Sequence, residues 1–175
     1  MILGIIPARK GSKRIPHKNT KLLCGKPLVS YAIESGQKST VDRLMVSTDD
    51  PRVMEICKEY GVEVIVRPDY LATDEATTLD AVLHVVENID YIPDIVVILE
   101  PTSPLRTASD IRTMKSLLDG NDSLACPSLG IFMVKWNTLK SRTLTGKRHI
   151  HVNSDGIDIN DEKDWEKAEH ALQGD

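Results

Sequence analysis

The chain alternates between short apolar runs and stretches in which apolar residues recur at helical spacing. Continuous apolar runs are typical of strands buried in a parallel sheet, and apolar positions three and four residues apart predict helices packed on it. The predicted strands are Ile2–Ile6, Arg43–Ser47, Val62–Val66, Ile95–Leu99, Ser123–Cys126, Ile131–Trp136 and a short Ile150–Asn153. The predicted helices are Lys26–Ser35, Pro51–Tyr60, Thr77–Asn88, Ser109–Leu118 and Asp161–Leu172.

Local signals support these helix boundaries. Pro27 falls in the first turn of its helix, where its missing N–H costs no hydrogen bond. The segment Thr48-Asp49-Asp50-Pro51 supplies an N-cap followed by proline at the first helical position, and Gly61 ends that helix. The alternation of elements predicts an α/β fold with three layers, a mostly parallel sheet and helices on both faces. We expect a single domain over residues 1–175.

Composition excludes two classes of partner. The chain has 175 residues, 41% of them hydrophobic, and a formal net charge of −4, so one domain with a sizeable core is expected. One Phe, two Trp and four Tyr offer little for stacking bases, and the balance is acidic, so nucleic acid is not an expected partner. No apolar stretch approaches the ~18 residues of a membrane span.

The cysteines and the amino-terminal segment indicate the compartment. Cys24, Cys57 and Cys126 are widely spaced and match no metal motif, so we expect reduced thiols that act as packing residues. The first apolar run has no basic region ahead of it and is therefore not a signal peptide. The expected location is the cytoplasm.

The loop after the first predicted strand carries the most informative chemistry. Between Ala8 and Asn19, here called the basic loop, Ser12 and five cationic side chains occur together. Arg, Lys and backbone N–H groups suit a cluster of phosphate oxygens, and the carboxyl edge of a parallel sheet is where ligands bind. A solvated surface loop is the alternative. The cations are Arg9, Lys10, Lys13, Arg14 and Lys18.

A second polar segment, Glu100–Arg106, follows the fourth strand and therefore points to the same sheet edge. Two prolines restrict its backbone, and Thr102, Ser103 and Arg106 offer polar groups. We interpret it as close to a substrate. A rigid turn in which Arg106 pairs locally is the alternative, and the two roles are compatible.

A third segment, Arg67–Asp80, places polar groups just before a helix. Helix amino termini favour anionic or hydrogen-bonding ligands, which makes this segment a candidate wall of the same site. Either Thr77 or Asp74 is expected to cap the helix.

The fourth segment, Gly156–Trp165, brings Asp158 and Asn160 onto one face of an extended strand-like stretch. Oxygen ligands at this spacing suit Mg²⁺, which takes one or two protein carboxylates together with phosphate oxygens. Helix capping by Asp161 and Asp164, with Asp158 in a turn, is the competing interpretation.

Taken together and in this order, the segments resemble the acylneuraminate cytidylyltransferase family, the CMP-sialic acid synthetases. The resemblance runs almost the whole length of the chain and is greater than that to the related KDO cytidylyltransferases. The residues that carry it are Ile5–Arg9, Gly11–Pro16, Lys18-Asn19, Gly25–Leu28, Val46–Asp50, Arg67-Pro68, Leu71–Asp74, Pro101–Arg106 and Ile157–Asn160.

The resemblance implies a Rossmann-like nucleotidyltransferase fold and a reaction that joins CTP to the anomeric hydroxyl of a nine-carbon keto sugar acid. Pyrophosphate leaves, and Mg²⁺ is the cofactor. Arg9 and Lys18 would be catalytic, because fixed cations stabilise the charge that grows on the departing pyrophosphate. The implied nucleotide-binding residues are Arg9, Ser12, Lys13, Lys18, Asn19, Arg67, Thr78 and the backbone near Ala76. Glu100 would face the sugar, and Asp158 and Asn160 would hold the metal.

Three features depart from that family. Glu100 replaces a usual Gln and would repel an anionic sugar unless paired or protonated, or would serve a metal or a different sugar. Asn160 replaces a usual Asp, which lowers the expected metal affinity. Between Ala125 and Gly130 the family's dimerisation arm is missing, so we do not expect an arm-swapped dimer, and another homo-oligomer is left open.

Two alternatives to a sialic-acid-like acceptor stay open. The same chemistry on another keto sugar or a phosphonate is one, and a CTP-binding protein with little or no turnover is the other. A dinucleotide-dependent oxidoreductase is disfavoured, because no G-x-G-x-x-G follows the first strand.

Overall fold

The computed structural model describes residues 1–174, and within this range it contains six α-helices and nine strands. The helices are Leu28–Gln37 (α1), Pro51–Glu59 (α2), Thr78–Glu87 (α3), Ala108–Leu117 (α4), Trp136–Leu139 (α5) and Glu162–Gln173 (α6). The strands are Ile2–Pro7 (β1), Leu22–Leu23 (β2), Lys26–Pro27 (β3), Arg43–Thr48 (β4), Glu63–Val66 (β5), Ile95–Leu99 (β6), Ser123–Cys126 (β7), Ile131–Lys135 (β8) and His149–His151 (β9).

The main sheet is mostly parallel, as predicted. Among the described residues its seven strands follow the order β5-β4-β1-β6-β8-β7-β9. All neighbouring pairs are parallel except those made by β8, which is antiparallel to both β6 and β7. The first strand of the chain therefore lies inside the sheet, and its carboxyl end delivers the basic loop to the middle of one edge.

Alternate residues of the central strands pack into two separate cores, one on each face of the sheet. Val97 of β6 packs with residues of α1, α2 and α4, whereas Val96 packs with residues of α3 and α5. This explains why β6 is a continuous apolar run: both faces of the strand are covered. The three-layer α/β architecture predicted from the sequence is confirmed.

A third apolar cluster lies outside the two faces of the sheet and joins distant parts of the chain. It connects the basic loop to α1, to the β2–β3 hairpin, to the segment before α6 and to α6 itself. Its buried members are Ile15, Leu23, Leu28, Ile159, Trp165 and Ala168. Because Ile15 belongs to the basic loop and Ile159 separates Asp158 from Asn160, this cluster fixes the two candidate binding segments relative to each other.

The predicted start of the first helix is wrong, since the helix begins at Leu28 rather than Lys26. Lys26 and Pro27 instead pair with Leu22 and Leu23 in a short antiparallel hairpin. Its two turn residues, Cys24 and Gly25, have φ angles of 46° and 82°. Such a turn is usually signalled by Asn-Gly or Asp-Gly, and cysteine at the first position hid it from the sequence analysis.

This turn also corrects the prediction for one cysteine. Cys24 is exposed at the hairpin, whereas Cys57 and Cys126 are buried in the core as predicted. Burial raises the pKa of the Cys57 thiol to about 11.

Capping interactions fix the residues at which α3 and α4 begin. Thr77 caps α3 and forms a capping box with Asp80, and Thr107 caps α4 with Asp110 in the same way. Asp74 is therefore not a cap and is free for other contacts. Among residues 1–174, none of the helices combines the length and the apolar character that crossing a membrane requires.

Candidate functional site

A cavity of about 510 Å³ opens at the carboxyl edge of the sheet. Its walls come from the basic loop, the residues after β5, the start of α3, the residues after β6 and the extended segment before α6. Every residue that the sequence analysis assigned to the site lines it: Arg9, Ser12, Lys13, Lys18, Asn19, Arg67, Ala76, Thr78, Glu100, Asp158 and Asn160. The structure thus brings together segments that are far apart in the chain.

The cavity also has lining residues to which the family resemblance assigns no role. Arg14 lines it and has no hydrogen-bond or ion-pair partner within residues 1–174. Lys10, another cation of the basic loop, lies outside the cavity. The composition of the loop indicated that cations were present, but not which of them face inward. The other additional residues are Pro7, Gly11, Thr77, Pro101 and Thr102.

Hydrogen bonds to the end of β4 and within the basic loop hold the loop's backbone in place. The Thr48 hydroxyl donates to the carbonyl of Ala8 at 2.5 Å, and the Lys10 N–H donates to Asp49 Oδ1 at 2.7 Å. Asn19 Nδ2 donates to the carbonyl of Arg9 at 2.9 Å. The backbone that carries Arg9 is therefore fixed by hydrogen bonds to β4, to Asp49 and to the far end of the loop.

Two cations of the loop that line the cavity share the carboxylate of Asp74, which is outside the lining. Arg9 Nη2 lies 2.6 Å from Asp74 Oδ1, and Lys13 Nζ lies 2.5 Å from Asp74 Oδ2. Hydrogen bonds from Lys13 and then Arg9 lower the pKa of Asp74 below its ordinary value. The segment before α3 is thereby tied to the basic loop.

Arg67 is a buried cation in the cavity wall. Its Nε donates to Ser47 Oγ and its Nη2 donates to the Ser47 carbonyl, both at 3.2 Å. Burial lowers the pKa of Arg67, partly opposed by the charge of Asp49, and the guanidinium remains a fixed hydrogen-bond donor at neutral pH. Ala76 is less free than predicted, because its N–H already donates to Thr73 Oγ1 at 3.3 Å.

Lys18 connects the loop to the opposite wall. Its Nζ donates to the carbonyl of Ile159 at 2.9 Å. Burial lowers the pKa of Lys18, while the charges of Asp158 and Glu100 oppose this shift. A partly desolvated ammonium beside two carboxylates marks the boundary between the cationic and the acidic ends of the cavity.

The acidic end holds oxygen atoms that fit a divalent cation. Asn160 Nδ2 donates to Asp158 Oδ2 at 2.9 Å, so the two side chains lie together as the strand-like spacing predicted. Within residues 1–174, no group of three or more His, Cys, Asp or Glu side chains forms a complete metal site. One or two carboxylates and an amide oxygen still match Mg²⁺, which completes its shell with water and phosphate oxygens.

Glu100 lies at the same end of the cavity and has no hydrogen-bond or ion-pair partner for its carboxylate among the described residues. Burial raises the pKa of Glu100, and the negative charge of Asp158 raises it further. Two carboxyl groups therefore lie close together where the resemblance puts a sugar.

Arg106 does not line the cavity. Its buried guanidinium donates through Nη1 to the carbonyls of Glu100, Leu129 and Gly130 at 2.9–3.1 Å, and burial lowers the pKa of Arg106 to about 10. The alternative of a rigid turn in which Arg106 pairs locally agrees with its bond to Glu100, but its bonds to Leu129 and Gly130 reach a distant turn of the chain. From this segment, Pro101 and Thr102 line the cavity with Glu100.

A tight turn joins β7 to β8 at the place where the resembling family has its arm. Pro127–Leu129 forms a 3₁₀ turn, and Gly130 follows with φ of 56°. A Cβ on Gly130 would lie 2.7 Å from Ser103 Oγ, so the turn packs directly on the segment after β6. The Ser128 hydroxyl donates to the Ser154 carbonyl at 2.8 Å, which ties the turn to the extended segment before α6.

A cavity lined with Arg and Lys at the carboxyl edge of a mostly parallel sheet is typical of nucleotide-binding α/β proteins. The chain belongs to the cytidylyltransferase family, whose model matches residues 3–165. The resemblance to acylneuraminate cytidylyltransferases is thereby confirmed at the level of the family.

Several curated relatives make CMP-activated sugar acids according to their names. A CMP-N,N'-diacetyllegionaminic acid synthase of Legionella pneumophila is 40% identical over 116 residues, which cover 63% of this chain and 50% of that protein. An N-acylneuraminate cytidylyltransferase of Escherichia coli is 38% identical over 127 residues, 71% of this chain and 30% of that protein. A pseudaminic acid cytidylyltransferase of Campylobacter jejuni is 41% identical over 108 residues, 59% and 47%. The matched segment thus spans half or less of the length of these relatives.

Solved structures share the fold over almost the whole chain. A CMP:2-keto-3-deoxy-manno-octonic acid synthetase complexed with CTP superposes with a TM-score of 0.82 at 17% identity, covering 99% of this chain and 98% of that one. A cytidylyltransferase from Leptospira borgpetersenii gives 0.78 at 17% identity, covering 99% and 87%. Rv0371c of Mycobacterium tuberculosis in complex with manganese gives 0.69 at 12%, covering 97% and 98%. The nucleotidyltransferase fold is confirmed.

Proposed function

We propose that this chain is a Mg²⁺-dependent cytidylyltransferase that transfers CMP from CTP to a sialic-acid-like, nine-carbon keto sugar acid and releases pyrophosphate. The observation that carries the proposal is the division of one cavity into a cationic end and an acidic end, with Lys18 at the boundary. We assign the activity to one nucleotidyltransferase domain over residues 1–175 working in the cytoplasm.

The cationic end suits a triphosphate. Arg9, Lys13 and Lys18 supply charge-assisted hydrogen bonds, and Ser12 offers a hydroxyl and a backbone N–H in the same loop. We assign the cytidine to the wall formed by Asn19, Arg67, Thr78 and the backbone near Ala76. The CTP complex of the KDO-activating structural neighbour supports a nucleotide in a fold of this kind.

The reaction needs positioned charge more than it needs a protein nucleophile. The sugar hydroxyl attacks the α-phosphorus in line with the departing pyrophosphate, whose bridging oxygen gains negative charge. Arg9 and Lys18 stabilise that charge without reorganising, because hydrogen bonds already fix the Arg9 backbone and the Lys18 ammonium. Asp158 and Asn160 would hold Mg²⁺, which neutralises phosphate charge when bound. The manganese complex of Rv0371c supports divalent-metal chemistry on this fold.

The names of the curated relatives support a sugar acid as the acceptor. Legionaminic, pseudaminic and N-acylneuraminic acids are nine-carbon keto acids, and another relative is named for the eight-carbon 3-deoxy-manno-octulosonate. We favour the nine-carbon class because the longer matches belong to it. The unpaired carboxylate of Glu100 at the acceptor end favours a second candidate, a CTP-binding protein with little turnover, or an enzyme with a different acceptor.

Calorimetric titration tests the nucleotide assignment. We expect CTP with Mg²⁺ to give saturable heat on the folded protein and UTP to give much less. Absence of heat with CTP would refute the proposal.

Pyrophosphate release then separates the acceptors. The panel is N-acetylneuraminate, N,N'-diacetyllegionaminate, pseudaminate and 3-deoxy-manno-octulosonate, each with CTP and Mg²⁺. We expect turnover with at least one nine-carbon acid. Heat with CTP but no pyrophosphate with any acid would instead identify the binding protein.

A further inference from the structure

Asp74 makes contacts that the proposed reaction does not explain. Its two carboxylate oxygens are each engaged by a different cation of the basic loop, Arg9 at 2.6 Å and Lys13 at 2.5 Å. Both cations line the nucleotide cavity, whereas Asp74 is outside its lining. One carboxylate thus presents two oxygens to the same pair of donors that a phosphate group would use.

We propose that the Asp74 carboxylate binds the two cations that would otherwise bind phosphate. It pairs with Arg9 and Lys13 when no nucleotide is bound and competes with the nucleotide for them. The inference rests on the proposed function, because it requires that these cations bind the triphosphate. It adds a positioning residue that sets how tightly CTP enters and how readily pyrophosphate leaves.

The geometry makes this contact suitable for exchange. The side chains of Arg9 and Asp74 are 32% and 37% exposed, and that of Lys13 is 79% exposed. Ion pairs this open to water are weak, so a triphosphate with several charged oxygens can displace the carboxylate. A fixed backbone keeps Arg9 nearby after the exchange, since Asn19 holds the Arg9 carbonyl.

Charge decides the direction of the effect. With Asp74 in place, the pair of cations shows a net charge of about +1 to an incoming anion, and without that carboxylate it shows +2. Removing the charge while keeping the shape should therefore strengthen anion binding. If Asp74 instead served to organise the cations for the ligand, the same change would weaken binding.

The test compares Asp74→Asn with the unaltered protein by calorimetry, using inorganic pyrophosphate and CTP with Mg²⁺ as probes. We expect both probes to bind roughly three- to tenfold more tightly to the variant. The KM for CTP should fall without a rise in kcat, a split that loss of a merely structural contact would not produce. Asp74→Glu, which restores the carboxylate, should return the affinity toward that of the original protein.

Glu63→Gln is the matched control. Glu63 of β5 pairs with Arg43 of β4 at 2.6–2.7 Å, and their side chains are 50% and 32% exposed, respectively. Both residues lie outside the cavity. The affinity of the Glu63→Gln variant for both probes should be the same as that of the original protein. Equal or weaker binding by Asp74→Asn would overturn the inference while leaving the proposed function intact. Failure of the original protein to bind CTP would instead overturn the proposed function.

Discussion

Arg9 and Lys10 are neighbours in the chain, yet only one of them belongs to the site. Arg9 lines the cavity, whereas Lys10 uses its backbone N–H to bond Asp49 and does not line the cavity. Two adjacent residues of the same charge thus occupy different environments. The difference comes from the direction in which the fixed backbone presents each side chain.

This contrast allows a direct test of the proposed catalytic role of Arg9. We expect Arg9→Ala to lower the rate of pyrophosphate release by about 10²–10³-fold, the usual cost of removing one preorganised electrostatic donor. The melting temperature should hardly change, because Arg9 is a partly exposed loop residue. Lys10→Ala serves as the control and should retain activity. An unchanged rate for Arg9→Ala would refute the role.

A substitution at Glu100 gives the most direct test of the proposed acceptor. Its carboxylate lies beside Asp158 without a partner in the described part of the chain, so it should repel an anionic sugar acid. We expect Glu100→Gln to lower the KM for the acceptor about fivefold, the equivalent of roughly 1 kcal/mol of repulsion. The KM for CTP should stay the same.

The pH dependence gives the sign of this effect. The pKa of Glu100 is raised, so the repulsion is present above that pKa and is lost as the pH falls through it. In steady-state kinetics over a pH series, the difference between Glu100→Gln and the original protein should therefore shrink as the pH is lowered. A weaker enzyme with unchanged stability would mean that the carboxylate has a direct task instead.

At the scale of elements, the third apolar cluster does more for the site than the two large cores. Ile15 of the basic loop and Ile159 of the extended segment are both fully buried and pack with Trp165 of α6. Helix α6 therefore holds together two loops whose polar residues line the cavity.

Truncation of Ile15 tests this arrangement. We expect Ile15→Ala to cost about 2–5 kcal/mol of unfolding free energy and also to weaken CTP binding several-fold, because the basic loop loses its anchor. The fully buried Ile111 of α4 provides the control. Ile111→Ala should cost a similar amount in denaturant unfolding and leave CTP affinity unchanged in calorimetry at low temperature. Equal effects of both variants on CTP affinity would contradict the special role of the cluster.

Elements differ in how well the sequence predicts them. The strands β1, β4, β6 and β7 agree closely with prediction, because apolar runs bounded by Pro, Asp or Gly leave little choice of boundary. The β2–β3 hairpin was missed, because two-residue strands carry no periodicity and Cys24 is an unusual turn residue. The last strand begins one residue before and ends two residues before the predicted Ile150–Asn153, because His149–His151 takes its register from pairing with β7.

At the scale of the whole molecule, the sequence predicts which segments meet better than it predicts their individual contacts. Strand ends and polar composition predict that four polar segments meet at one edge of the sheet, and all four contribute to one cavity. The Arg9–Asp74 pair and the carbonyl contacts of Arg106 could not be foreseen, since both depend on how loops distant in sequence pack. Side-chain direction within the basic loop was equally hidden, which is why Arg14 was assigned no role.

The cavity joins parts of the chain that are made at different times. Lys18 and Ile159, which meet across it, are separated by 141 positions. A ribosome adds residues in order from the amino end, so the emerging polypeptide displays its cations long before the facing wall exists. Under the proposed function, we therefore expect the complete CTP site to form only after Ile159 and the helix that packs on it have left the exit tunnel.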